Sequence, residues 1–331
     1  MKRRWLLQTA GGAVATTPFM SSAGAQALPA PVTIGRLHPG SSNDPALALH
    51  LQAFREGMRR LGYIEDRNYR IEARYGGGDA ARMNALAAEL VHKSVDLIVA
   101  AGSIGVRAAK EATSTIPIVM AMSGPDPVGA GLIASLARPG GNVTGFTGQT
   151  DEAPAKQLDL LREIVPSVTD ILVVYNPAGS TRPDAALAAA ALTLGLRLHL
   201  ASTTRAEDLP AHFARITDSA RWGVIVLADP AVIDRVREQI VAQARRRQVP
   251  TGFSFRNGVE AGGLFSFGID LIDMHRRSAG FVDRILRGAR PAELPVEQSS
   301  KFELVVSQKA ARELGITVPV SVLARADEVV D

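Results

Sequence analysis

The sequence predicts an α/β protein with two doubly wound parallel-sheet lobes joined by a multi-strand hinge. Apolar strand-like runs alternate with amphipathic helical segments in two successive series, before and after about residue 150, and this order is typical of parallel sheets. A length of 331 residues also fits two domains better than one. The segments 138–145, 263–268 and 295–306 are candidate crossovers between the lobes. Three crossovers would form a hinge that lets the lobes close on a ligand.

The first series contains four predicted strands, each followed by a helix. The helix from Pro45 to Leu61 is predicted by apolar residues at helical spacing and by Gly62, which stops the pattern. Asp79 is a suitable N-cap for the next helix. The uninterrupted apolar run 96–101 is typical of a strand inside a parallel sheet. The other predicted elements are strands at 32–37, 69–75 and 116–121 and helices at about 102–112 and 127–137.

The second series repeats this order. Its strands are predicted at 170–175, 196–201, 223–228 and 249–253, and its helices at about 183–194, 206–219 and 231–247. With the three crossovers, this predicts an N-terminal lobe of residues 28–147 plus about 269–294. The C-terminal lobe then consists of residues 148–268 plus about 295–331.

Residues 1–27 are predicted to be a secretory signal peptide. The basic residues 2–4 precede a short apolar stretch, and Ala25 and Ala27 supply the small residues for cleavage after Ala27. Cleavage after Ala25 is an alternative, as is a disordered extension in place of a signal. The pair Arg3-Arg4, followed by apolar residues, resembles the twin-arginine export signal. The expected location in a Gram-negative cell is therefore the periplasm.

Charge and cysteine content exclude several classes of function. The formal net charge is +4, and residues 2–4 supply three of those charges, so the chain after the leader is nearly neutral. We therefore expect no binding to nucleic acid. The sequence contains no cysteine, which excludes disulfides, zinc–thiolate sites and cysteine nucleophiles.

The sequence contains none of the motifs that would indicate an enzyme. The phosphate-binding patterns Gly-x-Gly-x-x-Gly (after the first strand) and Gly-x-x-x-x-Gly-Lys-Ser/Thr are missing. The six histidines are scattered without metal-ligand spacing, and no serine lies in a Gly-x-Ser-x-Gly elbow. We therefore expect no cofactor, no metal and no catalytic residue.

Candidate ligand contacts lie at the carboxyl ends of strands, where ligands bind in open α/β sheets. Helix N-termini at Gly102-Ser103 and at Ser123 offer N–H groups and a partial positive charge that suit a carboxylate, with plain N-capping as the alternative role of these residues. Asp126 and Asp229, each followed by proline, suit a ligand ammonium, with helix capping as their alternative role. Tyr175-Asn176 and Phe253-Ser254 end strands of the second half, where an aromatic ring could cover an apolar ligand and core packing is the alternative. His38 follows the first strand, where a turn residue is more common than a ligand contact.

One segment of the chain resembles a known family signature. Residues 126–145, Asp-Pro-Val-Gly-Ala-Gly-Leu-Ile-Ala-Ser-Leu-Ala-Arg-Pro-Gly-Gly-Asn-Val-Thr-Gly, are similar to the signature segment of tryptophan/tyrosine-binding-like substrate-binding proteins of ABC transporters. Supporting segments follow the family's order and cover essentially the whole chain after the leader, at 54–63, 96–100, 115–119, 175–177 and 323–330.

This resemblance implies a type I periplasmic-binding-protein fold with a three-stranded hinge. It also implies a monomer that holds a small ligand between its lobes and passes it to a membrane permease driven by a separate ATPase. By position, Ser103 and Ser123 would hold a ligand carboxylate, and Asp126 or Asp229 would meet an amino group. The second lobe would close on the ligand with Tyr175, Asn176 and Ser254.

The chain departs from the family's pattern in the acidic loop. Where many relatives have Thr-Asp-Pro before Val-Gly-Ala, this chain has Gly-Pro-Asp-Pro at 124–127, and Pro125 removes a backbone donor. Two other function classes stay open at this point. A ligand-sensing domain of a receptor would share the fold, and an α/β enzyme would convert its ligand chemically.

Overall fold

The fold is described from a computed structural model of the chain. The described residues are 31–124, 126–148, 153–179, 181–229, 233–299 and 301–331. The predicted signal peptide, residues 1–27, and Pro125 of the acidic loop lie outside the described residues. Across the part that is described, none of the helices combines the length and the apolar character that a membrane span requires.

The first sheet is built from six parallel strands within the described residues. Numbered in chain order, they are β1 (Val32–His38), β2 (Tyr69–Tyr75), β3 (Leu97–Ala101), β4 (Ile118–Met122), β5 (Val143–Gly148) and β11 (Glu297–Ser299). Their order across the sheet is β11-β5-β4-β3-β1-β2, and every pair of neighbours is parallel.

Helices cover both faces of this sheet. Helices α1 (Pro45–Arg60) and α9 (Leu271–Leu286) pack against each other on one face, and α2 (Ala80–His92) and α3 (Gly102–Ala112) cover the other. Helix α1 begins where Asp44 caps it, because the Asp44 carboxylate accepts the Ala46 N–H at 3.0 Å.

The second sheet has seven described strands in the order β13-β12-β10-β9-β8-β6-β7. All neighbours are parallel except β10 and β12, which are antiparallel. The strands are β6 (Asp170–Tyr175), β7 (Arg197–Ser202), β8 (Trp222–Val226), β9 (Thr251–Phe253), β10 (Phe265–Ile269), β12 (Phe302–Ser307) and β13 (Glu328–Val330).

Helices also cover both faces of the second sheet. One apolar core contains Leu158, Leu187 and Val322, and the core on the opposite face contains Phe213 and Ile240. The helices are α4 (Ala153–Ile164), α5 (Ala185–Thr193), α6 (Leu209–Phe213), α7 (Ile233–Arg246), α8 (Arg256–Glu260), α10 (Gln308–Glu313) and α11 (Val320–Leu323), with short 3-10 turns at Ala206–Asp208 and Pro291–Glu293.

The chain passes between the two sheets three times. Strand β5 is followed by α4, β10 by α9, and β11 by β12. Two of these connections are tied together, because Asp270 and Lys301 form an ion pair at 2.7 Å and the Asp270 N–H donates to the Lys301 carbonyl at 3.2 Å. The predicted fold class, with two parallel-dominated sheets and helices on both faces, is confirmed.

The helix predicted through Ala137 is wrong, because residues 127–131 form turns and no helix follows before β5. Gly131 has φ of +68°, which ends any helical geometry there. The carbonyls of Gly131 and Leu132 accept hydrogen bonds from the Lys110 ammonium at 2.6 and 3.0 Å instead of from helical N–H groups.

One predicted crossover, one predicted lobe boundary and one further helix differ from the structure. The segment 138–145 is not a crossover, because it runs into β5, which pairs with β4 inside the first sheet. Strand β11 pairs with β5, so residues 297–299 join the first sheet and not the C-terminal lobe, which was predicted to include residues from about 295. The helix predicted at 206–219 is a 3-10 turn followed by the short α6.

Candidate functional site

The candidate site is a cleft between the carboxyl ends of the first sheet's strands and loops of the second sheet. Its first cavity has a volume of about 310 Å³, within the range of small-ligand sites. The first-sheet side contributes Gly102, Ser103 and Arg107 of α3 together with Asp126, and the second-sheet side contributes Gly179 and Asp229. Residues from both halves of the molecule therefore line one cavity.

The N-terminus of α3 gives one side of the cavity a positive potential. Helix α3 starts directly after β3, and Gly102 adopts φ of +68°, a conformation that favours glycine. The Ser103 hydroxyl accepts the Gly124 N–H at 2.9 Å and so fixes the neighbouring loop. Arg107 lies one turn further along the same helix and also lines the cavity. These groups suit an anionic part of a ligand.

The acidic side of the cavity is formed by Asp229. Asp229 is buried, with 3% of its surface exposed. Its carboxylate accepts hydrogen bonds from the Asn176 amide at 3.1 Å and from the Ile233 N–H, at the start of α7, at 3.3 Å. Asn176 is held in turn, because its amide oxygen accepts the Ala178 N–H at 3.0 Å. Asp229 therefore presents a fixed negative charge to the cavity.

Asp126 adds a second carboxylate at the rim. It is exposed, and its side chain accepts the Gly129 N–H at 2.7 Å. Asp126 therefore caps the chain segment that follows it, as predicted, but that segment is a turn and not a helix.

A second cavity of about 230 Å³ adjoins the first through the loop after β1. His38 and Asp44 line it from the first-sheet side, and Arg237 and Glu238 of α7 line it from the other. An ion pair between Arg237 and Asp44, at 3.3 Å, joins the two halves here. Both side chains are largely buried, so water screens this pair less than it screens an exposed one.

Five of the residues predicted at the site line neither of the two described cavities. The buried Ser123 donates to the Gly124 carbonyl, and Tyr175 packs against an apolar core. Phe253, the last residue of β9, is buried in an apolar core of the second sheet. Ser254 donates to the Val226 carbonyl at 3.2 Å and accepts from Gln157. The structure thus brings Gly102, Ser103, Asp126 and Asp229 together, with Asn176 behind Asp229 and His38 in the adjoining cavity.

Two basic residues at the site were missed by the sequence analysis. Arg107 follows Ser103 by four residues, and this spacing places both on one face of α3. This spacing could have predicted Arg107 as a site residue from the sequence. Arg237 had no such signal, because it meets Asp44 only through the arrangement of the two sheets.

Three histidines form a buried cluster between β1, α1 and α9, beside the second cavity. The rings of His50 and His275 are 4.4 Å apart, and His38 lies 6.3 and 6.4 Å from them. One ring nitrogen from each lies within 4.8 Å of the other two. The sequence shows no metal-ligand spacing here, because 225 positions separate His50 from His275 along the chain.

The cluster is uncharged at neutral pH and lies beside the buried Arg36. Burial lowers the pKa of His50 to about 4, and burial followed by neighbouring charge holds the pKa values of His38 and His275 well below their usual range. Burial also lowers the pKa of Arg36, to about 10, so its guanidinium stays charged at pH 7. Asp44 and Asp270 act on His50 in the opposite direction.

Stability should fall on acidification because of this cluster. Unfolded histidines titrate near pH 6.5 whereas the folded ones stay neutral, so the unfolded state binds more protons as the pH drops. Each histidine then costs up to about 1.4 kcal/mol of unfolding free energy per pH unit below about 6.5. Urea unfolding from pH 7.5 to 5 in the presence of EDTA measures this dependence.

His275→Phe should reduce that pH dependence by up to about one proton, because it removes one of the groups that titrate on unfolding. The matched control is His92→Phe at an exposed position outside the cluster, which should leave the dependence unchanged. Identical pH dependence for parent and His275→Phe would contradict the assignment.

Comparison with known proteins identifies the family. The model of the family described as ABC transporter substrate binding protein matches residues 42–330. The chain is 24% identical over 273 residues to a tyrosine-binding protein of Clostridioides difficile strain R20291, covering 82% of this chain and 77% of that protein.

Two solved structures share the architecture. A conserved domain protein from Vibrio cholerae superposes with a TM-score of 0.79 at 29% identity, covering 90% of this chain and 99% of that one. An ABC domain from Streptococcus pneumoniae in complex with L-Trp gives a TM-score of 0.77 at 27% identity, covering 90% and 100%. The fold is thus that of type I periplasmic binding proteins, and the resemblance seen in residues 126–145 is confirmed. The chain belongs to the family of ABC transporter substrate-binding proteins.

Proposed function

We propose that this protein is the periplasmic solute-binding component of an ABC importer and that it binds a zwitterionic amino acid between two lobes. The observation that carries the proposal is the opposite charge on the two sides of the first cavity. Arg107 and the α3 N-terminus form one side, and Asp229 forms the other. A ligand with one carboxylate and one ammonium complements both sides.

The ligand carboxylate is assigned to the α3 side. Free N–H groups at a helix N-terminus bind anions, and a guanidinium on the same helix can form two parallel hydrogen bonds to a carboxylate. Gly102 brings the backbone close to the cavity because it has no side chain, and Ser103 adds a hydroxyl.

The ligand ammonium is assigned to Asp229. A buried carboxylate has little water around it, so an ammonium that reaches it gains a strong charge-assisted hydrogen bond. Gly179, next to Asp229 in the cavity wall, leaves room for that approach, because a Cβ at this position would lie 2.7 Å from the carboxylate oxygen. The ligand side chain would meet the apolar part of the wall, which includes Ile104 and Ala130.

Closure of the two lobes follows from the placement of these groups. The carboxylate contacts lie on the first-sheet side and Asp229 on the second-sheet side, so only an arrangement with the lobes together satisfies both ends of the ligand. Such a ligand binds the closed form better and shifts the population toward it. The ion pair between Arg237 and Asp44 also forms only when the lobes are together. An importer permease would then recognise the closed form.

A thermal-shift screen of the protein without residues 1–27 tests the proposal. The set consists of the twenty L-amino acids, each matched with its decarboxylated amine and its N-acetyl derivative. A free amino acid at 100 times its Kd should add about 2.7 kcal/mol to the unfolding free energy. Both derivatives should lose most of this stabilisation, since each lacks one of the two charges. Stabilisation by neutral sugars alone would overturn the proposal, as would recovery of a chemically altered ligand.

Ser103→Ala should weaken amino acid binding by about tenfold at most. The change removes the hydroxyl that accepts the Gly124 N–H and so loosens the loop at the carboxylate side; such a neutral hydrogen bond contributes about 1 kcal/mol. Isothermal titration measures the change. Ser135→Ala is the control, because Ser135 makes a similar local bond to residue Arg138, outside the cavity lining. Equal Kd values for both variants would count against this role of Ser103.

A further inference from the structure

The histidine cluster and Arg36 leave several buried polar atoms without partners. Both ring nitrogens of His275, Nδ1 of His50 and both Nη atoms of Arg36 find no hydrogen-bond partner among the described residues. All of these residues are more than nine-tenths buried. Buried polar groups are almost always satisfied, since each unpaired group costs about 1–3 kcal/mol. The concentration of such atoms in one place therefore points to a bound species.

We propose that His38, His50 and His275 bind one Zn²⁺ ion, and that Arg36 holds an anion that completes its coordination. The three ring nitrogens lie within 4.8 Å of one another, close enough for one ion to reach all three after small side-chain rotations. Zinc sites with three protein ligands and an open fourth position are a recurrent arrangement, and three histidines form one of them.

The ligand chemistry of the cluster favours a transition-metal ion. A histidine binds a metal through the lone pair of a ring nitrogen, and both ring nitrogens of His275 and Nδ1 of His50 have no other partner among the described residues. Imidazole ligands without a carboxylate suit Zn²⁺, Cu²⁺ or Ni²⁺ and not Mg²⁺ or Ca²⁺, which prefer oxygen.

The charge of Arg36 determines what occupies the fourth position. A divalent ion beside a buried guanidinium would add repulsion in a region of low dielectric. An anion between them, such as hydroxide, chloride or a carboxylate, removes that repulsion and supplies an acceptor for the two Nη atoms of Arg36. The site is thus inferred to take the metal and the anion together.

Binding would also change the loop after β1. Nδ1 of His38 accepts the Gly40 N–H at 3.0 Å, which places the proton of a neutral ring on Nε2. A metal bound through Nε2 would move that proton to Nδ1, and the bond from Gly40 would break. Gly40 lines the second cavity, so metal binding would change the wall of that cavity.

Equilibrium dialysis of the metal-stripped protein against Zn²⁺ tests the proposal, with Co²⁺ as a spectroscopic probe. The parent should bind one equivalent, and Co²⁺ should show the visible bands of a tetrahedral site. His275→Phe removes one ligand and keeps an aromatic ring, so zinc affinity should fall by about 100-fold or more. His92→Phe should keep the parent affinity, and Arg36→Met should abolish the dependence of zinc affinity on chloride.

Three outcomes would overturn the proposal. One is the absence of a stoichiometric zinc ion in the parent, and another is unchanged zinc affinity in His275→Phe with its melting temperature near that of the parent. The third is stabilisation of the metal-stripped parent by sulfate or phosphate in a chelator-free buffer that added zinc does not increase, which would assign the cluster to an anion alone. The amino acid screen is run in EDTA, so its result is independent of the metal.

Discussion

Replacing Asp229 with Asn should lower the affinity for the amino acid ligand by about 100-fold, equivalent to about 2.7 kcal/mol. The change keeps the size of the side chain and removes the charge that faces the ligand ammonium. Loss of one partner of a buried charge pair typically costs 2–5 kcal/mol. This range applies to Asp229 because its side chain is buried, with 3% of the residue exposed, and is oriented by Asn176.

Isothermal titration with the best ligand of the screen measures this effect, and the melting temperature without ligand shows that the variant is folded. Asp126→Asn is the matched control. Asp126 lines the same cavity but is exposed, so its charge is screened and the loss should stay below about fivefold. A larger loss for Asp126→Asn than for Asp229→Asn would place the ammonium at the rim and refute the assignment.

Gly57→Ala should lower the unfolding free energy by about 2–3 kcal/mol. Gly57 lies in α1 where this helix crosses α9, and a Cβ there would be 2.1 Å from the Arg276 carbonyl oxygen and 2.8 Å from the Ala279 Cβ. Alanine gains up to about 1 kcal/mol of helix propensity over glycine. A clash with backbone cannot be relieved by turning a side chain, so the cost of separating the helices exceeds that gain.

The midpoint of urea unfolding measures this change. Gly280→Ala in α9 is the control, because a Cβ at Gly280 meets no described atom within 4 Å. This control should be more stable than the parent by about 0.5–1 kcal/mol. A Gly57→Ala variant as stable as the parent would show that α1 and α9 are not packed as closely as described.

Much of the fold could be predicted because local signals agree with the tertiary structure. The alternation at 69–75 and the apolar run near 97–101 form strands, and Asp79 caps α2 by accepting the Ala81 N–H at 2.9 Å. The helix predicted after Asp126 is wrong although the apolar residues of this segment recur at helical spacing. A distant side chain, Lys110, binds the carbonyls that a helix would need.

The candidate site could be predicted only where it depends on chain position relative to a strand. Gly102 and Asp229 follow strands and line the cavity, as the rule for open sheets predicts. Phe253 and Ser254 also end a strand, yet their side chains point into packed structure. The rule predicts at which end of the sheet a ligand binds, but it does not predict the direction in which each side chain points. The histidine cluster joins residues from opposite ends of the sequence.

The return of residues 271–299 to the first sheet has a consequence for the order of folding. Met274 and Phe281 of α9 cover the same apolar core as Phe54 and Met58 of α1. During synthesis this core therefore stays open until some 280 residues have been made, and its closure is a contact between distant parts of the chain. A nascent chain cut off after β5 would display that uncovered surface to chaperones and proteases.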